Sequence, residues 1–123
     1  MTRWIVDGMN VIGSRPDGWW RDREGAKRRL AAELVALAER GDEVTVVFDG
    51  SEPEEPLGAP GVTVLFAPGG PNAADDRIAQ LVAADGDPAS LTVVTADADL
   101  VRRVTEQGAA TTGARSLRRE LPN

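Results

Sequence analysis

Apolar residues fall along this chain in two alternating patterns. Four short, nearly continuous runs, Trp4 to Val6, Val44 to Phe48, Val62 to Phe66 and Leu91 to Val94, are rich in β-branched residues. Runs of that kind read as strands buried on both faces of a parallel sheet. Between the first two, from Arg23 to Arg40, apolar side chains recur at three- and four-residue spacing (Ala26, Leu30, Leu34, Leu37, Ala38) with Arg and Glu on the opposite face. That spacing predicts an amphipathic helix, with Gly41 where a C-terminal cap belongs. A second helix is expected after Asn72, a candidate N-cap, carrying Ile78, Leu81 and Val82 inward until Asp85-Gly86-Asp87-Pro88 breaks it. A third runs from about Asp97 to Gln107 with Leu100, Val101 and Val104 as its stripe and Gly108 as its stop. Ala109 to Thr112 reads as a short fifth strand, and Ser116 to Leu121 as a last helical turn or two. Strands alternating with helices predict one open α/β domain with a mostly parallel sheet of four to five strands. The Gly- and Pro-rich stretches 50–61 and 68–71 read as loops within it.

Composition narrows the chemistry. In 123 residues there is no cysteine, histidine or tyrosine. Thiol chemistry, imidazole bases, Ser-His-Asp triads and ordinary zinc sites are excluded, so catalysis here has to rest on carboxylates and metal ions. A chain of this length buries enough surface to fold without a disulfide. The first apolar run ends at Asp7, too early for a signal sequence or a membrane span, which predicts a cytoplasmic protein with no membrane partner. The net charge of -6 opposes a nucleic-acid partner at first sight, since phosphates are met mainly by Lys and Arg. Its distribution changes that: residues 42 to 99 hold twelve acids and one base, the rest of the chain eight acids and thirteen bases.

Ligands of open parallel sheets bind outside the carboxyl ends of the strands. Asp7 ends the first strand, Asp49 ends the second, Asp97 follows the fourth, and Asp75 lies in the first turn of the second helix. Singly, such residues are ordinary N-caps or first-turn acids favoured by the helix dipole. Together they bring four segments' carboxylates to one rim, where they repel one another unless a cation sits among them. Hard oxygen donors select Mg²⁺ or Mn²⁺, and such a site could activate water against a phosphodiester. Asp76 and Asp99 are candidate outer-shell acids. Asn10 is a candidate for contacting a phosphate or a bound water, or else a turn residue bonded to its own backbone; Thr95 either donates to a ligand or caps the helix that follows.

The blocks Val6-Asp7-Gly8-Met9-Asn10-Val11-Ile12, Val46-Val47-Phe48-Asp49-Gly50, Ala74-Asp75-Asp76-Arg77-Ile78 and Val93-Val94-Thr95-Ala96-Asp97 resemble, in order and spacing, those of the YacP-like branch of the NYN domain, within the PIN-like nuclease superfamily. The resemblance spans about residues 4 to 114. It implies a three-layer α/β/α fold and metal-dependent cleavage of RNA, with the family's acids falling on Asp7, Asp49, Asp75 and Asp97, its asparagine on Asn10 and its hydroxyl residue on Thr95. Met9 stands where an aromatic residue is usual and Ala79 where related sequences often carry an acid, and the chain stops soon after the last block.

RNA contact is expected of the arginine-rich flanks. The loop from Gly13 to Trp20 follows the first acidic block directly and joins Arg15 to Trp19 and Trp20, which could stack on unpaired bases or pack under the first helix. A protein partner or a homodimer is a candidate source of specificity. Two other phosphate-handling classes fit poorly. A receiver domain needs a lysine late in the sheet, whereas the sole lysine is Lys27 on the first helix; a haloacid-dehalogenase-type phosphatase needs an acid where Met9 stands. The remaining alternative is a catalytically weak RNA-binding or scaffold module that keeps the fold.

Overall fold

The computed structural model describes residues 1–122. Five strands, β1 (Arg3–Asp7), β2 (Glu43–Asp49), β3 (Val62–Ala67), β4 (Leu91–Val94) and β5 (Ala110–Thr112), form one sheet in the order β3-β2-β1-β4-β5. All four pairings are parallel, with Val6 opposite Val46 on one side and Val94 on the other. The apolar runs predicted all four long strands; β1, β2 and β4 are buried on both faces as their continuous hydrophobicity requires, whereas on the edge strand β3 only Ala67 is fully buried.

The helices are α1 (Gly8–Gly13), α2 (Arg23–Glu39), α3 (Ala73–Ala84), α4 (Ala98–Glu106) and α5 (Ala114–Arg119). They divide into two layers. Leu30, Leu34 and Leu37 of α2, with Val11 and Ile12 of α1 and Leu117 of α5, pack on Val6, Val46 and Phe48. Ile78 and Val82 of α3, with Leu100 and Val104 of α4, pack on Ile5, Val47 and Val93 from the other side. Among the described residues, no helix is long and apolar enough to cross a membrane.

The capping expected at the end of α2 is present. Gly41, at φ +101, donates its N–H to the Ala38 carbonyl while the Asp42 N–H reaches the Leu37 carbonyl. This double bond pattern needs a left-handed residue, which glycine adopts without a Cβ penalty. Asp42 then turns inward, where Oδ2 accepts from Trp4 Nε1 at 2.9 Å and Oδ1 from the Thr2 N–H at 3.0 Å. Burial pushes its carboxyl up, but these bonds and Arg40 outweigh burial and hold it at about 2.

Three local features differ from the sequence expectation. The stretch after Asp7, to which the sequence pattern assigned no element, is a six-residue helix, α1. The last helix begins at Ala114, two residues before the expected start, and ends at Arg119. Asn72 precedes α3 as expected but its side chain makes no capping bond; the Asp49 carboxylate, from the end of β2, accepts the Ala74 N–H at 3.4 Å instead.

Candidate active site

The chain reverses its direction of travel across the sheet between β1 and β4: β1 to β3 extend one way, then α3 carries the chain back past them to β4. Such a switch point opens a crevice at the carboxyl ends of the two strands. Asp7 stands at that point, at the end of the central strand, and only 5% of its surface is exposed. The corner is tight. A Cβ on Gly8 would lie 2.4 Å from the Phe48 ring, so the chain can enter α1 against β2 only with glycine there.

Opposite, β4 delivers Thr95, also buried, whose Oγ1 donates to Asp7 Oδ2 at 2.8 Å and accepts the Asp97 N–H at 3.1 Å. Asp97 is the N-cap of α4, with Oδ1 accepting the Leu100 N–H at 2.9 Å. Thr95 is therefore neither the helix cap nor free: its hydroxyl ties the first acidic segment to the last. Asn10 makes a second tie, its Oδ1 accepting the Ala96 N–H at 3.0 Å across the switch point. It bonds the neighbouring strand's exit rather than its own backbone.

Asp49 and Asp75, both half-buried, complete the rim from β2 and α3. Burial raises the Asp7 carboxyl to about 6; the Thr95 hydroxyl and the Asn10 N–H oppose the rise, and the Asp75 and Asp49 charges add to it. The Asp75 carboxyl is also raised, by burial first and then by Asp97 and Asp49, with Arg103 opposing. The four acids thus sense one another as like charges. Among the described residues none of the four belongs to an ion pair. Nor do any three acidic side chains stand close enough together to enclose a metal ion. The acids share one electrostatic field without forming a finished cage. Their donor set, carboxylates with a hydroxyl and an amide nearby, suits a hard divalent cation.

The flanking candidates separate into engaged and free. Asp76 pairs with Arg103 at 2.9 Å and Asp99 with Arg102 at 2.6 Å. Arg118 donates to the Val11 carbonyl at 2.8 Å and to Ser14, and Arg28 donates to the carbonyls of Glu55 and Pro56. These arginines secure the fold. Arg15 stands 4.0 Å from Glu33 and lines a cavity of about 200 Å³ between α1, α2 and α5. Trp19 is half-buried against the core, edge-on to Trp20, which is 52% exposed.

Sequence reasoning missed Lys27. It is buried on α2, and its Nζ donates to the Asp49 carbonyl at 3.1 Å. A lysine in an amphipathic helix reads as a solvated side chain; its three-residue spacing from Leu30, on the inward face, was the signal.

A parallel sheet between two helical layers, with acids from four segments at its switch point, defines the PIN-like class of α/β folds. The YacP-like NYN domain model matches residues 4–123, and the chain belongs to that family, a PIN-like nuclease family. Relatives named UPF0178 protein, from strains of Xanthomonas oryzae pv. oryzae, are 45% identical over 102 residues, covering 82% of this chain and 59% of theirs. The chain thus spans about three-fifths of those relatives' length. The crystal structure of Rae1 (YacP) from Bacillus subtilis matches with a TM-score of 0.78 at 29% identity, over 98% of this chain and 73% of that one. A tryptophan-to-leucine variant of it matches equally, at 30% identity.

Proposed function

We propose that this chain is a ribonuclease that hydrolyses phosphodiester bonds with Mg²⁺ or Mn²⁺ held at the acidic rim. The observation that carries this reading is Asp7: a buried carboxyl, raised to about 6, that feels the charges of Asp75 and Asp49 and, among the described residues, belongs to no ion pair. A divalent ion is the simplest resolution of that charge. Asp7, Asp49, Asp75 and Asp97 would hold one or two ions. The metal would supply Lewis-acid activation of water and neutralise charge on the phosphodiester, roles a chain without histidine or cysteine must take from an ion. Thr95 and Asn10 keep the first and last acidic segments in register, Thr95 by fixing one oxygen of Asp7 and so leaving the other for a ligand. The RNA strand would approach over Arg15, Trp19 and Trp20, and specificity would come from a partner protein, a homodimer or sequence beyond this domain.

The test is cleavage of single-stranded and structured RNA by purified protein in Mn²⁺ or Mg²⁺. The expected result is turnover that a chelator stops and that Asp7→Asn or Asp97→Asn each abolish. Turnover surviving chelation and both substitutions would overturn the metal mechanism. The second reading, an RNA-binding or scaffold module, draws on the open spacing of the acids and on Ala79. Its signature is RNA affinity without turnover across several substrates.

A further inference from the structure

Between α1 and α2, beside Asp49, lies a cleft of about 210 Å³ lined by Met9, Trp19, Arg23, Lys27 and Asp49. It adjoins the acidic rim through Asp49, yet two of its five lining residues are cations. Lys27 reaches it from a buried position, with Nζ 6.0 Å from the centre of the Phe48 ring and 5.8 Å from that of Phe66. An ammonium carries three N–H donors. One meets the Asp49 carbonyl and another the Glu24 carboxylate at a long 3.4 Å; among the described residues the third has no acceptor. Arg23 lies over the Trp19 ring, 5.3 Å from its centre, and belongs to no ion pair among the described residues. Holding a buried ammonium costs solvation that an apolar side chain would avoid. Here its spare donor, an unpaired guanidinium and an indole wall share one small cleft beside a rim acid.

We propose that this cleft is a nucleotide subsite: it receives the phosphate next to the scissile one in a single-stranded RNA, between Lys27 Nζ and the Arg23 guanidinium, with the attached nucleoside against Trp19. The inference rests on the ribonuclease reading above and names where the strand leaves the rim. Charge fixes the direction, because a backbone crossing the acids passes from carboxylates to an unpaired guanidinium and an ammonium with a donor to spare on the α2 side. Both arginines of α4 are already paired, Arg103 with Asp76 and Arg102 with Asp99. The cleft is smaller than the ~300–1,000 Å³ typical of pockets for whole metabolites and suits one sugar-phosphate unit.

The test uses the full chain with a single-stranded RNA oligonucleotide, first in chelator. In a Trp20→Phe background, fluorescence changes report Trp19 against the buried Trp4, and RNA is expected to quench it. The logarithm of affinity falls with the logarithm of salt, and Lys27→Met is expected to flatten that slope by about 0.7, the share of one single-strand phosphate contact, with Lys27→Arg restoring it. A merely structural lysine would leave the slope unchanged. Arg23→Gln, at an exposed position, carries the same slope test should Lys27→Met fold poorly. In Mn²⁺, Trp19→Leu is expected to raise KM roughly tenfold through loss of one stacked base, with kcat little changed. Unchanged slopes and KM in a wild type that binds and cuts RNA overturn this inference alone. Quenching and slope changes without cleavage keep nucleotide binding in the cleft and remove the nuclease reading; a wild type that neither binds nor cuts RNA overturns both.

Discussion

Asp7 carries a consequence for stability that is separate from its chemistry. Its carboxyl is raised from 3.8 to about 6 in the folded chain, so between those values the native state holds a proton the unfolded state has released. Stability therefore falls as pH rises through that window and levels off above it, by about 3 kcal/mol for a shift of that size. With chelator present, thermal unfolding should show Asp7→Asn matching wild type near pH 4 and exceeding it at pH 7.5. A variant less stable than wild type at pH 7.5 would contradict this. Asp42 has the opposite sign. Held at about 2, it contributes stability above pH 4 that is lost as pH falls through 2. At this scale the sequence was informative wherever an acid followed a strand, because chain position alone predicts which edge it reaches. It was uninformative for Lys27, Asp42 and Arg118, whose partners lie on segments up to 107 residues away.

The elements were legible in proportion to their length. A 17-residue helix such as α2 repeats its apolar spacing often enough to be read. The six residues of α1, glycine at each end and β-branched in the middle, form less than two turns and give periodicity nothing to act on. What makes α1 a helix is tertiary: Val11 and Ile12 are buried against α2, and Asn10 is held by β4. Gly8 sets the same corner. Gly8→Ala would drive a methyl into the Phe48 ring, and the expected cost is about 1–3 kcal/mol in chemical denaturation. Phe48→Leu in the Gly8→Ala background should return part of that loss by making room. Failure of the pair to couple would mean that the strain lies elsewhere. The N-terminus of α3 shows a different limit. Asn72 has the residue type of a cap, yet the bond comes from Asp49, and which of two suitable oxygens arrives first depends on how β2 and α3 are set against each other.

Across the whole molecule the sheet has one centre, β1, covered by strands on both sides and by helices on both faces. Its interior residues Ile5 and Val6 are buried, whereas on the outer strand β5 all three residues are at least partly exposed. Protection against hydrogen exchange follows burial and pairing. The amides of Ile5 and Val6 are expected to exchange last and those of β5 among the first of the strands; fast exchange in β1 would contradict the core assignment. The strand order could not be read from the chain, because parallel runs of similar hydrophobicity pair equally well in several orders. The polarised charge was legible, and its meaning changes once the acids are placed. Of the twelve acids in residues 42 to 99, Asp49, Asp75 and Asp97 belong to the rim, while Arg103 and Arg102 engage Asp76 and Asp99.

A centre-first strand order also bears on synthesis. As the chain leaves the ribosome, β1, α1, α2, β2 and β3 emerge before β4, because synthesis runs from the amino end. Asp7 is in place by then, but Thr95, Asp97 and the Ala96 amide that receives Asn10 arrive more than eighty residues later. The hydrogen bonds that align the acids can therefore form only when nearly all of the domain has been made.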